Sequence, residues 1–188
     1  MKCNLDTEQK LYTMCLLVED TAGALSQVSR LFSRKGYNIE SIVSGATMEP
    51  GIIRISIEVL SSRLLIEQVA AQCRKLLAVK TVKIFDEESC LRRETVMVKV
   101  QAADRDARDE ILQIVNIFRA QVIDVCKTCL TIWVFGNRSK NAALIEMLQD
   151  FGILEIARTG TIAIERGRST IYDDSKLKEE YDYGKNVL

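Results

Sequence analysis

The sequence predicts an α+β protein made of two ferredoxin-like βαββαβ sandwiches, each a four-stranded antiparallel sheet with two helices on one face. Strands show in period-two alternation, clearest over Ile52–Leu60, where Ile53, Ile55, Ile57 and Val59 alternate with Arg54, Ser56 and Glu58. Between the strands lie segments with apolar residues at helical spacing, such as Leu25, Val28, Leu31 and Phe32. The order strand, helix, strand, strand, helix, strand is written twice, and the right-handed crossover rule leaves few other packings.

In the first copy Leu11–Val18 is an apolar strand, and the helix Gly23–Lys35 sets Ser26, Ser29, Arg30 and Ser33 opposite its apolar stripe. Arg34 and Lys35 suit the negative end of the helix dipole, and Gly36 suits the position just past it. Strand Asn38–Ala46 follows, and Met48–Gly51, which holds the only proline, turns into strand Ile52–Leu60. A helix over about Ser62–Leu77 repeats Leu65, Val69, Cys73 and Leu76–Leu77, and Val79–Phe85 closes the unit. After the charged linker Asp86–Arg93, the second copy opens with strand Glu94–Gln101. Asp104, Asp106, Asp109 and Glu110 crowd the start of a helix whose stripe is Ile111, Ile114, Val115 and Phe118. Strands Gln121–Lys127 and Leu130–Gly136 pair around a turn, and Ser139 caps a helix showing Leu144, Met147, Leu148 and Phe151, ended by Gly152. Thr161–Glu165 is the last strand. The domains expected are therefore 10–86 and 94–167, followed by a charged tail, 168–188, read as poorly ordered with a marginal helix over Ser175–Tyr183.

At 47% hydrophobic and 28% charged over 188 residues, the chain is globular and long enough for two small cores. Lys+Arg and Asp+Glu number 26 each, so the basic excess that nucleic-acid binding usually leaves is missing. MKCNLDTEQK at the N-terminus lacks the apolar core of a signal peptide, and no apolar run approaches membrane-spanning length. A cytoplasmic protein with neither nucleic acid nor membrane as a partner is expected. With no histidine there is no imidazole base, no Ser–His or Cys–His nucleophile and no His metal ligand, and no other cluster forms a catalytic pattern.

Six cysteines, at 3, 15, 73, 90, 126 and 129, are scattered. Cys15 and Cys73 fall on apolar faces, where a free thiol packs as a small hydrophobe. Cys126 and Cys129 flank Lys127–Thr128 at a hairpin turn, with no second ligand pair for zinc and no helix start of the thioredoxin kind. Reduced structural thiols and no metal are expected there.

The most informative stretch is residues 18–46, VEDTAGALSQVSRLFSRKGYNIESIVSGA. A strand enters a short polar turn, and Gly23 stands where the helix begins, so backbone N–H groups converge on a point suited to a carboxylate. Gly23 brings no Cβ between ligand and backbone. On spacing alone, a helix start that serves no ligand is the alternative reading.

These segments resemble the regulatory small subunits of acetolactate synthase (acetohydroxyacid synthase). The run DTAGALSQVSRLFSRKGYNIES at 20–41 is similar to the signature of an ACT domain. FRAQVIDV at 118–125 and GILEIARTGTIAIERG at 152–167 resemble that family's C-terminal domain. The resemblance covers roughly residues 10–167 in order and spacing. It implies a chain with no active site and no cofactor of its own. The implied partner is the catalytic large subunit, which would use thiamine diphosphate, magnesium and usually FAD to condense two pyruvates, or pyruvate with 2-oxobutyrate. The family raises that activity and makes it sensitive to a branched-chain amino acid, usually valine, bound where two ACT domains of a homodimer meet.

The family's effector-binding positions fall on Asp20, Gly23 and Asn38, with Thr21, Ala22, Ala24, Leu25 and Ile39 beside them. Asp20 departs from the family, which has Asn. An amide donates to a carboxylate and accepts from an ammonium, whereas an ionised Asp only accepts. Asp20 as a plain turn or cap residue, and Asn38 as a polar strand start pairing with backbone, are the alternatives at those positions. A free-standing ACT-type amino-acid sensor or a ligand-responsive transcription regulator would use the same first copy. The former is not expected to carry ARTGTIAIERG, and no helix-turn-helix or basic arm supports the latter.

Overall fold

The computed structural model describes residues 9–34, 36–86 and 88–174. Its order is β1 (Lys10–Glu19), α1 (Ala24–Arg34), β2 (Ile39–Ala46), β3 (Ile52–Ser61), α2 (Arg63–Cys73) and β4 (Val79–Phe85). Then come β5 (Cys90–Gln101), α3 (Arg105–Ile117), β6 (Gln121–Val125), β7 (Cys129–Gly136), α4 (Arg138–Gln149) and β8 (Ile153–Glu165). Two four-stranded sheets result, ordered β2-β3-β1-β4 and β6-β7-β5-β8, both α+β and both with the expected βαββαβ connectivity. By packing, one compact unit takes the described residues up to Leu91 and again from Thr161, and the other runs Arg92–Gly160.

In the first sheet β1 lies antiparallel to β3 from Lys10–Ser61 to Glu19–Ile52, and β2 lies antiparallel to β3 from Ile39–Val59 to Ala46–Ile53. Helices α1 and α2 bury Val28, Phe32, Ile66, Val69 and Cys73 against Met14, Leu16, Ile55 and Ile57 of the sheet. Helix α1 ends as its sequence implies: Gly36 adopts φ 73°, the left-handed conformation that glycine takes without a Cβ clash. The N–H of Tyr37 then turns back to the carbonyl of Phe32 at 3.1 Å.

The helical stripes were only partly placed by periodicity. Leu25, Leu65, Leu77 and Met147 are exposed, while Ala24, Ile66, Ala70 and Ile145 are buried in their stead. A 3.6-residue period leaves the phase of a stripe open by about one residue when apolar side chains are consecutive, as at Leu64–Leu65–Ile66. The α4 cap also moves. Asn137, not Ser139, accepts the N–H of Lys140 at 2.9 Å, and the Ser139 hydroxyl donates to Asn137 Oδ1 instead. The last strand is longer than Thr161–Glu165 because Ile153–Gly160 is also extended.

The second unit has its own core of Val96, Val98, Val100, Ile111, Ile132, Val134, Leu144 and Leu148. Inside it the amide of buried Asn141 donates to the carbonyl of Glu94 at 3.3 Å and to its carboxylate at 3.2 Å.

The face of the first sheet away from its helices is covered by the chain's own later residues. Cys15, Leu17 and Phe85 pack with Cys90, Ala163 and Ile171. Ile171 lies in a short 3-10 helix, Ile171–Asp174, inside the stretch read from sequence as a tail; the marginal helix expected over Ser175–Tyr183 lies outside the described residues. Because Ile171 is 3% exposed, Ile171→Ala is expected to cost about 2–5 kcal/mol in a urea unfolding transition. An unchanged midpoint would show that this segment does not belong to the core.

Candidate functional site

Backbone hydrogen bonds brace the turn between β1 and α1. The N–H of Asp20 reaches the carbonyl of Gly51 at 2.8 Å, the N–H of Thr21 that of Glu19 at 2.9 Å, and the N–H of Ala24 that of Thr21 at 3.1 Å. Gly51, in the turn before β3, thus braces the β1–α1 turn through its carbonyl. Its Pro50–Gly51 context signals a bend in the sequence but not the contact with Asp20.

Among the described residues, three of four α-helices are capped by a side chain: Ser62 accepts from Leu65, Asp104 from Ala107 and Asn137 from Lys140. Helix α1 has no such cap and no acidic residue in its first turn. The N–H groups of Leu25 and Ser26 have no hydrogen-bond acceptor among the described residues, so the positive end of α1 faces outward unneutralised. Gly23 sits at φ 88° with no atom within 4 Å of where a Cβ would stand. The exposed Asp20 carboxylate makes no side-chain hydrogen bond among the described residues and caps nothing.

The residues read from sequence divide into two places. Asp20, Thr21, Ala22, Gly23, Ala24 and Leu25 form the turn and the first turn of α1, with Leu25 exposed and the Ala24 side chain buried in the core. Asn38 and Ile39 are elsewhere. Ile39 pairs with Val59, and Val59 with Tyr12, whereas the turn follows Glu19, which pairs with Ile52. Tyr12 and Glu19 are seven residues apart on one strand, so roughly 23 Å of sheet separates Asn38 from the turn in the same chain. Asn38 is exposed and donates to the Glu40 carboxylate at 3.2 Å, a side-chain partner and not backbone. No group of three or more His, Cys, Asp or Glu arranged to hold a metal occurs among the described residues, and no helix there is long and apolar enough to cross a membrane.

The expectation of reduced thiols fails at one pair. Cys126 and Cys129 are joined as a disulfide, their Cα atoms 5.2 Å apart across the β6–β7 turn. The two-residue turn makes them directly opposed ends of a hairpin, a Cα separation a disulfide spans without moving the backbone.

An open four-stranded sheet whose first helix presents a bare N-terminus after a glycine turn is the architecture of an ACT domain. Residues 14–81 match the family model described as "AHAS small subunit-like ACT domain", and residues 93–167 the model described as "Small subunit of acetolactate synthase". The chain is 39% identical over 167 residues to the probable acetolactate synthase small subunit of Methanothermobacter thermautotrophicus, covering 89% of this chain and 99% of that relative. It is 42% identical over 158 residues to the acetolactate synthase small subunit of Mycobacterium bovis, covering 84% and 94%. The crystal structure of the acetolactate synthase small subunit from Thermotoga maritima superposes with a TM-score of 0.78 at 36% identity, over 85% of this chain and 99% of that one. The chain belongs to the acetolactate synthase small-subunit family.

Because the Gly23 backbone is left-handed, Gly23→Val is expected to cost about 1–3 kcal/mol from backbone strain while meeting no steric clash, so the chain still folds. Asn tolerates this conformation better, so Gly23→Asn is expected to lose less. Equal urea midpoints for both variants and the natural chain would contradict the assignment.

Proposed function

We propose that this chain is the regulatory subunit of acetolactate synthase. It binds the catalytic large subunit in the cytoplasm, raises its activity and makes it responsive to a branched-chain amino acid, valine or a close relative. The observation that carries this reading is the match to small subunits along both domains, 14–81 and 93–167. A free-standing sensor would share only the first of these. The chain contributes no histidine to catalysis, so the chemistry belongs to the partner, where thiamine diphosphate, magnesium and usually FAD supply it.

The effector site we propose is composite. The exposed N–H groups at the start of α1 receive the amino acid's carboxylate, and Gly23 lets it come close. Thr21 and Ala22 shape the turn, and Leu25, with Ile39 from the other end of a sheet, meets the apolar side chain. Asn38 supplies a polar contact from a second copy. Edge strand β2 has no partner on its outer side among the described residues, and two β2 strands paired antiparallel about a two-fold axis would bring the Asn38 end of one chain to the Gly23 end of the other. A homodimer through this domain follows from that arrangement. Asp20 holds an ammonium but repels a carboxylate, so it sets how strongly the site takes a zwitterion. One methylene separates valine from leucine or isoleucine, worth about 1–3 kcal/mol in such a pocket.

Two outcomes are expected. Added to purified catalytic subunit, the chain raises acetolactate formation several-fold, and valine, leucine or isoleucine reverses part of the gain; no change in rate at saturating chain would refute the regulatory reading. In calorimetric titration Asp20→Asn binds valine more tightly than the natural chain, and Asn38→Ala binds it more weakly, by about 0.5–1.5 kcal/mol for a neutral hydrogen bond. Unaltered binding in both variants places the effector elsewhere.

A further inference from the structure

We propose that Cys126 and Cys129 form a reversible dithiol–disulfide site that reacts with low-molecular-weight disulfides, with Cys126 as the attacking thiol. The pair closes the tip of the β6–β7 hairpin, where the N–H of Cys126 meets the carbonyl of Cys129 at 3.0 Å and only Lys127 and Thr128 lie between. This tip is rigidly anchored. The guanidinium of Arg108, on α3, donates from Nη2 to the carbonyls of Cys126 and Lys127 at 2.5 Å each and from Nε to the carbonyl of Ala102 at 3.1 Å. The N–H of Ala102 returns to the carbonyl of Thr128 at 2.8 Å. The two sulfurs are thus held at bridging distance by contacts that do not depend on the bond between them.

The same surroundings single out Cys126. Its sulfur accepts the N–H of Cys129 at 3.1 Å, faces the Thr128 hydroxyl at 3.8 Å and is exposed. Arg108 and Lys127 bring two positive charges to the turn, and Asp124, on β6 two residues before Cys126, brings a negative one. Donors and cations at an accessible sulfur favour the thiolate, which is the nucleophile. The other described cysteines are of the opposite kind. Cys15, Cys73 and Cys90 are buried, and burial pushes the Cys73 thiol up to about 12 and raises that of Cys15 against the pull of nearby Arg54. Zinc is a poorer occupant, since the pair has no third or fourth ligand among the described residues.

The chemistry balances with a small disulfide as oxidant. The Cys126 thiolate attacks one sulfur of the disulfide and expels a thiolate, leaving a mixed disulfide on Cys126. Cys129 then loses its proton and attacks the Cys126 sulfur, expelling the second thiolate. Two protein thiols give up two electrons and two protons, and the small disulfide is reduced to two thiols. A dithiol reductant runs the sequence backwards. In a reducing compartment a bond of this kind is transient and reports redox state.

The test uses the full chain, reduced and then equilibrated in glutathione buffers of rising oxidised fraction, quenched by alkylation and peptide-mapped. A single two-electron transition confined to Cys126 and Cys129 is expected, and Cys129→Ser is expected to stop at a glutathione adduct on Cys126. Persistence of both thiols in excess glutathione disulfide would overturn the proposal. In the folded, reduced chain iodoacetamide should modify Cys126 at least tenfold faster than Cys73; equal rates would also overturn it. Arg108 is a positioning residue here, so Arg108→Gln should slow Cys126 alkylation and reduce thiolate ultraviolet absorbance, while Arg108→Lys keeps most of both. If Arg108→Gln reacts as the natural chain does, the activation is not electrostatic and the assignment of Cys126 as attacking thiol fails.

Discussion

Ten consecutive pairs between β1 and β3, from Lys10–Ser61 to Glu19–Ile52, fix the register of the first sheet, and β2 is laid against β3 by a second ladder. A slip of one residue would turn Met14, Leu16, Ile55 and Ile57 from the helix side to the opposite face, so the burial of these side chains locks the register. That register dictates where the chemistry can occur. It sends the β1–α1 turn and the start of β2 to opposite ends of the sheet, and no side-chain adjustment within one chain closes roughly 23 Å. Fourteen residues of helix and loop separate Gly23 from Asn38 in sequence, while the ladder holds the two at opposite ends of the sheet.

The bare start of α1 gains its meaning from that separation. Helices α2, α3 and α4 each have one first-turn N–H accepted by a side chain, from Ser62, Asp104 and Asn137, and leaving α1 without such a cap forgoes about 1 kcal/mol. In the proposed site, this uncapped helix end beside a left-handed glycine is the half that takes the anion. The proposed other half, Asn38 and Ile39, stands at the β2 edge, which has no partner strand on its outer side among the described residues. An effector that binds both halves would stabilise the paired form over the unpaired one, which is the differential affinity that any allosteric account requires.

Much of this was legible in the sequence. Alternation at Ile53, Ile55, Ile57 and Val59 identified β3, Gly36 the end of α1, and the doubled βαββαβ order both sheets, because those signals come from backbone geometry that a few residues determine. Helix phase was less legible: Leu64, Leu65 and Ile66 are equally apolar, and only packing against the sheet selects Ile66. Asn137 beat Ser139 as the α4 cap since both are good caps two residues apart. Ile171 was hidden because one apolar residue in a charged stretch has no period, and its burial depends on a surface assembled from distant strands. The residues proposed for the effector stand out as a motif through resemblance, but their division between two ends of a sheet does not, since it depends on a ladder formed between residues about forty positions apart.

The most direct measurement of the central claim is complementation between two damaged chains. Gly23→Val disables the turn half of the site and Asn38→Ala the β2 half. Each variant alone is titrated calorimetrically with valine, leucine and isoleucine, then the two are mixed in equal amounts and allowed to exchange subunits. If the site spans two chains, each mixed dimer regains one intact site, made of Gly23 from one chain and Asn38 from the other, and about one quarter of all sites bind with natural affinity under random pairing. If the mixture binds no better than the average of its two components while subunit exchange is complete, the site is not shared between chains and the account is wrong.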